Sequence, residues 1–140
     1  MDRRRIVPAV FLVLLLIFIW GQSLLPRSAS NAQSSFLALR IAEWLGRDPS
    51  YVNRIVRKCA HLIEFAALGF VLTRLFGQRK WYLPICVAVG FSVAFLDETI
   101  QIFSGRGSAI ADVWLDLCGV VLGTAVGALL RLLGRRKNAP

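Results

Sequence analysis

Four long apolar runs constrain this chain more than any other feature. They cover about residues 6–25, 59–76, 81–102 and 109–133, more than half of the 140 residues. About 20 mostly apolar residues suffice for a helix to cross the hydrocarbon of a bilayer. Inside lipid the backbone must satisfy its own hydrogen bonds, which a helix does and an open strand does not. With 56% of the chain hydrophobic, no stretch is left for a separate soluble domain. The expected fold is therefore all-α: a single domain over 1–140, an integral membrane bundle of four transmembrane helices, with an interfacial amphipathic helix between the first and second.

The net charge of +9 invites a nucleic-acid reading, but its distribution argues for a membrane. Arg3, Arg4 and Arg5, then Arg74, Arg79 and Lys80, then Arg131, Arg135, Arg136 and Lys137 all flank apolar runs. Flanking Lys and Arg orient a membrane protein. With both termini on the cytoplasmic side, the inside segments hold ten of the seventeen Lys and Arg residues. The first run, followed by Arg27-Ser28-Ala29-Ser30-Asn31-Ala32, superficially resembles a signal peptide. Its length and its closing Trp20 favour an uncleaved first span.

Between the first two runs, residues 35–46 place Leu37, Ile41, Trp44 and Leu45 on one helical face and Arg40, Glu43 and Arg47 elsewhere. Such a helix lies along an interface or against the bundle. Asp48-Pro49 then marks a helix start, with Asp as N-cap and Pro at the first position. In the last run, Gly119, Gly123 and Gly127 recur every four residues, a spacing that lets a second helix backbone approach. That partner is another helix of the bundle or a second copy of the chain. Cys59, Cys86 and Cys118 lie in separate runs without metal-binding spacing and are expected as small, buried packing residues.

The acids carry the functional signal. Of eight Asp and Glu residues, five lie within or beside a span: Glu64, Asp97, Glu98, Asp112 and Asp116. An ionised side chain at mid-helix costs about 2.5–3.5 kcal/mol on the more lenient insertion scale, so such groups pair, face the bundle interior or serve a function. In an up-down bundle, the start of the second span, the end of the third and the start of the fourth share one side of the bilayer. That brings His61 and Glu64 toward Asp97, Glu98 and Gln101, and toward Asp112 and Asp116. Arg57, Lys58 and Arg106 border them, giving a polar, ligand-binding pocket expected to open outward. A buried ion-pair network that only sets helix packing is the structural alternative. A metal held by His61, Glu64, Asp97 and Asp112 is a minor one, since no tight ligand motif is present; the expected metal and cofactor content is none.

The same residues carry a resemblance. Lys58-Cys59-Ala60-His61-Leu62-Ile63-Glu64-Phe65 resembles the K-x-x-H-x-x-E-[YF] signature of the VanZ-like family of bacterial membrane proteins. Asp97-Glu98-Thr99-Ile100-Gln101 is similar to its D-E-x-x-Q element, followed by Arg106-Gly107 and by Asp112 at the opening of the last span. Ser23-Leu24-Leu25-Pro26 is similar as well. The chain departs from the family at Asp116, where Asn is usual, and at Phe65, where Tyr is commoner. The family is named for a member associated with low-level resistance to teicoplanin, a lipid-tailed glycopeptide. The resemblance implies a multi-pass protein of the bacterial cytoplasmic (inner) membrane that influences envelope susceptibility to such antibiotics.

Three functions follow as expectations. The first is a non-enzymatic protein in the lipid bilayer that binds a lipid headgroup or lipid-tailed molecule. The second is an intramembrane enzyme acting on a lipid-linked phosphate or sugar, with His61, Glu64, Asp97 and Asp112 as candidate catalytic groups. The third is a proton-coupled transporter using membrane carboxylates.

Overall fold

The computed structural model describes residues 3–105 and 109–137, with side chains over 5–105 and 109–134. Five helices follow one another: α1 (Arg3–Ser23), α2 (Arg27–Leu45), α3 (Pro49–Phe76), α4 (Tyr82–Phe103) and α5 (Ile110–Lys137). No strand occurs among the described residues. All but α2 are long and apolar enough to cross a membrane.

Local chemistry sets the breaks. Pro26 has no N–H and disfavours helical geometry in the residue before it, so α1 ends at Ser23 and α2 starts at Arg27. Gly46 closes α2 in the left-handed region at φ 61°, a conformation costly for other residues. Asp48 then caps α3, as its sequence position predicts. Its Oδ1 accepts from the Ser50 N–H at 2.8 Å and its Oδ2 from the Ser50 hydroxyl at 2.9 Å. These bonds hold the carboxyl below the ordinary aspartate range. At the other end of α3, the Gly77 N–H bonds to the Thr73 carbonyl, and Arg79 N–H to that of Phe76, turning the chain into α4.

The packing centres on α3, which touches all four other helices, and most extensively α5. The glycine stripe is what brings these two together. A Cβ on Gly119 would stand 2.7 Å from the Leu62 carbonyl oxygen, one on Gly123 would collide with the Ala66 carbonyl, and one on Gly127 would meet the Thr73 side chain. Gly69 reciprocates from α3, lying against the Val120 carbonyl. The stripe is thus occupied by α3 within the chain. Around this seam Ile19, Phe65, Leu68, Leu72, Cys86, Val93, Ala94 and Val120 form the core. The outward faces of α1 and α5 are apolar, with Phe11, Leu14, Ile17, Leu122, Leu129 and Leu132 about half exposed or more. That is the surface expected of helices solvated by lipid.

Two expectations need correction. α2 begins eight residues before position 35, and of the apolar face only Ile41 packs inward, while Leu37, Trp44 and Leu45 stay exposed. The helix meets α3 through Ala38 and Ala42 against Val52. These belong to a run of small residues at four-residue spacing, Ser30, Ser34, Ala38 and Ala42, that gives a flat, close-packing surface. Of the three cysteines only Cys86 is buried; Cys59 and Cys118 are exposed.

Candidate functional site

The C-terminal ends of α1 and α4, the N-terminal half of α3 and the start of α5 meet at one end of the bundle, with α2 alongside. A cavity of about 220 Å³ opens there. Its cationic wall is Arg27 from α2 with Arg54, Arg57 and Lys58 from α3. The rest of its lining is His61, Glu98, Gln101, Asp112, Leu115 and Asp116.

Asp97 anchors the floor. It is fully buried on α4, its Oδ1 accepts from the Ser23 hydroxyl at 2.6 Å, and its Oδ2 from the Gln101 amide at 2.8 Å. Charge-assisted bonds of this kind are what make a buried carboxylate tolerable. The Ser104 hydroxyl donates to the Ser23 carbonyl at 2.9 Å and so ties the end of α4 to the end of α1. Asp116, on α5, is equally buried, but neither of its carboxylate oxygens accepts a hydrogen bond. Between the two acids sits His61. Its Nδ1 is 3.5 Å from Asp116 Oδ1 and 3.9 Å from Asp97 Oδ2. The Phe65 ring, one turn on, lies parallel to the imidazole within 10°, with centroids 6.5 Å apart.

Nearer the opening, Lys58 Nζ pairs with Asp112 Oδ1 at 2.8 Å, both side chains partly exposed. Arg57 donates to the Asn31 side-chain oxygen at 3.4 Å, fixing α2 to α3 beside the cavity.

Of the residues singled out in the sequence, the fold brings Arg57, Lys58, His61, Glu98, Gln101, Asp112 and Asp116 to the cavity wall, with Asp97 beneath it. Glu64 is half buried one turn beyond His61 and off the cavity lining. Arg106 lies outside the described residues. Arg27, Arg54, Ser23 and Ser104 escaped the sequence reading as site residues. For Arg54 the signal was present, since it shares a helical stripe with Lys58 and His61. Arg27 depended on a helix start at Pro26 that the polar composition of the segment disguised, and the two serines on tertiary contact alone.

Comparison with known proteins places the chain among membrane proteins. A family model described as VanZ/LLP1 matches residues 8–131. The chain is also similar to YwnJ of Bacillus subtilis (strain 168), a protein named as an uncharacterized membrane protein, at 33% identity over 67 residues. That alignment spans 48% of this chain and 45% of YwnJ, less than half the length of the relative. No solved structure matches.

Proposed function

This chain belongs to the VanZ/LLP1 family, and we propose that it binds an anionic headgroup of a lipid or lipid-tailed molecule in the cavity between α2, α3, α4 and α5. Through that binding it would alter envelope susceptibility to lipid-tailed glycopeptides. The observation that carries this reading is the cluster of cations on one cavity. Arg27, Arg54, Arg57 and Lys58 face one cavity, and only Lys58 among them forms an ion pair there among the described residues. Guanidinium groups in such a cluster suit phosphate and carboxylate oxygens, while Glu98, Gln101 and Asp112 are placed to accept from hydroxyl or ammonium groups of the same ligand.

The proposed setting is the cytoplasmic membrane, with both termini inside and the cavity opening outward. The Lys and Arg distribution supports it: the α3–α4 turn and the C-terminal tail carry dense basic clusters at the opposite end of the bundle from the cavity. In that orientation α2, packed on α3 beside the cavity, rests at the outer interface. Its exposed Leu37, Trp44 and Leu45 support this placement, Trp being a residue of that layer.

The test is binding of short-chain anionic and zwitterionic phospholipids to the purified chain in detergent, beside teicoplanin and vancomycin susceptibility of an expressing host. Arg57→Ala is expected to weaken anionic-lipid binding about tenfold, the loss of one charge-assisted hydrogen bond, and to reduce any protection at equal membrane abundance. Unchanged binding in Arg54→Ala and Arg57→Ala alike would sink the headgroup reading.

A second reading rests on the floor: a single imidazole between two buried carboxylates is also how a general base is oriented. Turnover of a lipid-linked phosphate that disappears in His61→Gln, with lipid binding intact, would favour an enzyme over a binder.

A further inference from the structure

We propose that His61, Asp97 and Asp116 form a binding site for one divalent transition-metal ion of the zinc class, in the floor of the cavity. One ligand atom from each residue lies within 4.8 Å of the other two. The individual separations of 3.5 and 3.9 Å around His61 Nδ1 compare with about 3.3 Å between ligands of a tetrahedral ion with bonds near 2.0 Å. The carboxylates of Asp97 and Asp116, within 4.8 Å of each other, move inward to share one ion. One imidazole with two carboxylates is a donor set that zinc and manganese accept.

Three further observations point to a cation rather than to a self-contained cluster. Asp116 is fully buried, lines the cavity and accepts no hydrogen bond at either oxygen; with only His61 Nδ1 in ion-pair reach among the described residues, at 3.5 Å from Oδ1, it keeps the capacity to coordinate a cation. Asp97 is held differently: Ser23 and Gln101 fix its orientation from behind, as groups surrounding a metal site orient its ligands. The stacked Phe65 ring fixes the imidazole plane. Two carboxylates excluded from solvent beside one histidine leave negative charge that a divalent ion neutralises. Because His61 and Asp116 both line the cavity, the remaining coordination positions face it and take water or an oxygen of an anionic ligand. The site is separate from the cationic wall, and it stands or falls independently of headgroup binding.

The experiment uses the full chain purified in detergent with any affinity tag removed. It is stripped with a chelator, re-equilibrated with Zn²⁺ or Mn²⁺, and its bound metal is counted by mass spectrometry. The expected result is one tightly bound Zn²⁺ per chain, with affinity at least tenfold weaker in His61→Gln and in Asp116→Asn. Arg57→Gln should bind metal as the wild type does even where it loses anionic lipid, which separates this site from the headgroup reading. X-ray absorption of the zinc form should show one nitrogen and two or more oxygens near 2.0–2.2 Å. A ratio far below one, equal retention in both floor variants, or sulfur ligation from Cys59 or Cys118 would overturn the proposal. Should a floor variant fail to fold, the absorption spectrum of the wild type decides alone.

Discussion

Toward the α3–α4 turn, the bundle is held by backbone: Gly69, Gly123 and Gly127 let α3 and α5 touch main chain to main chain or to a Thr73 side chain. Charges there stay at the margin, with Arg74, Arg79 and Arg131 resting over the rings of Phe70, Phe76 and Tyr82. At the cavity end side-chain polar bonds join the helices: Ser23 and Gln101 on Asp97, Ser104 on Ser23, Lys58 on Asp112. Dispersion and close packing reward the first arrangement in lipid, where no hydrophobic drive separates one apolar helix from another. The second costs desolvation and is tolerable only where nearly every polar group is satisfied. The difference marks one end as scaffold and the other as candidate site, with polar groups concentrated where the helices leave a cavity.

The comparison breaks most visibly at the seam. Gly123→Leu drives a side chain into the Ala66 carbonyl and is expected to destabilise the chain by about 3 kcal/mol, read as a large drop in melting temperature in detergent. A melt close to wild type would mean that the glycines do not set the α3–α5 distance. Next comes the anchor of the polar end. Asp97→Ala leaves the Ser23 hydroxyl and the Gln101 amide without their acceptor, at a cost of about 1–3 kcal/mol, smaller than the seam variant and visible in the same melt. The Lys58–Asp112 pair sharpens the contrast, because both partners are partly exposed. Lys58→Met should shift stability by about 1 kcal/mol at most, and the shift should shrink as salt is added. The smallest effect belongs to Asp48. Its folded carboxyl titrates below the ordinary value because Ser50 bonds the charged form, so its contribution is complete above pH about 4 and is lost as pH falls through the folded value. Asp48→Asn should remove this acid-side slope of the melting temperature and leave the neutral-pH melt nearly unchanged.

Helix number, the α3 start and the clustering of acids were legible because each has a local signature. Apolar length gives the spans, Asp48-Pro49 the cap, and up-down connectivity brings three span ends to one side. What was not legible depends on contact between distant segments. Gln101 one turn on is a local partner of Asp97, but nothing local shows its second donor, Ser23 from α1, or that Asp116 is left without a hydrogen bond on α5. Glu64 looked as central as His61 from spacing alone, yet the rotation of α3 places it off the cavity lining. The packing face of α2 was not legible, because Ala38 and Ala42 decide it by being small.

The bond from Ser23 to Asp97 joins residues 74 positions apart, and that span of chain bears on how the protein is made. Synthesis runs from α1 onward, so the serine and His61 are already in place when α4 emerges. Ser23 enters the membrane as a small neutral group that its own helix shelters. Asp97 arrives later, accompanied on its own helix by Gln101 one turn away, and meets waiting donors. The chain order thus delivers this carboxylate after its serine partner, into a half-built socket that α5 completes with Asp116.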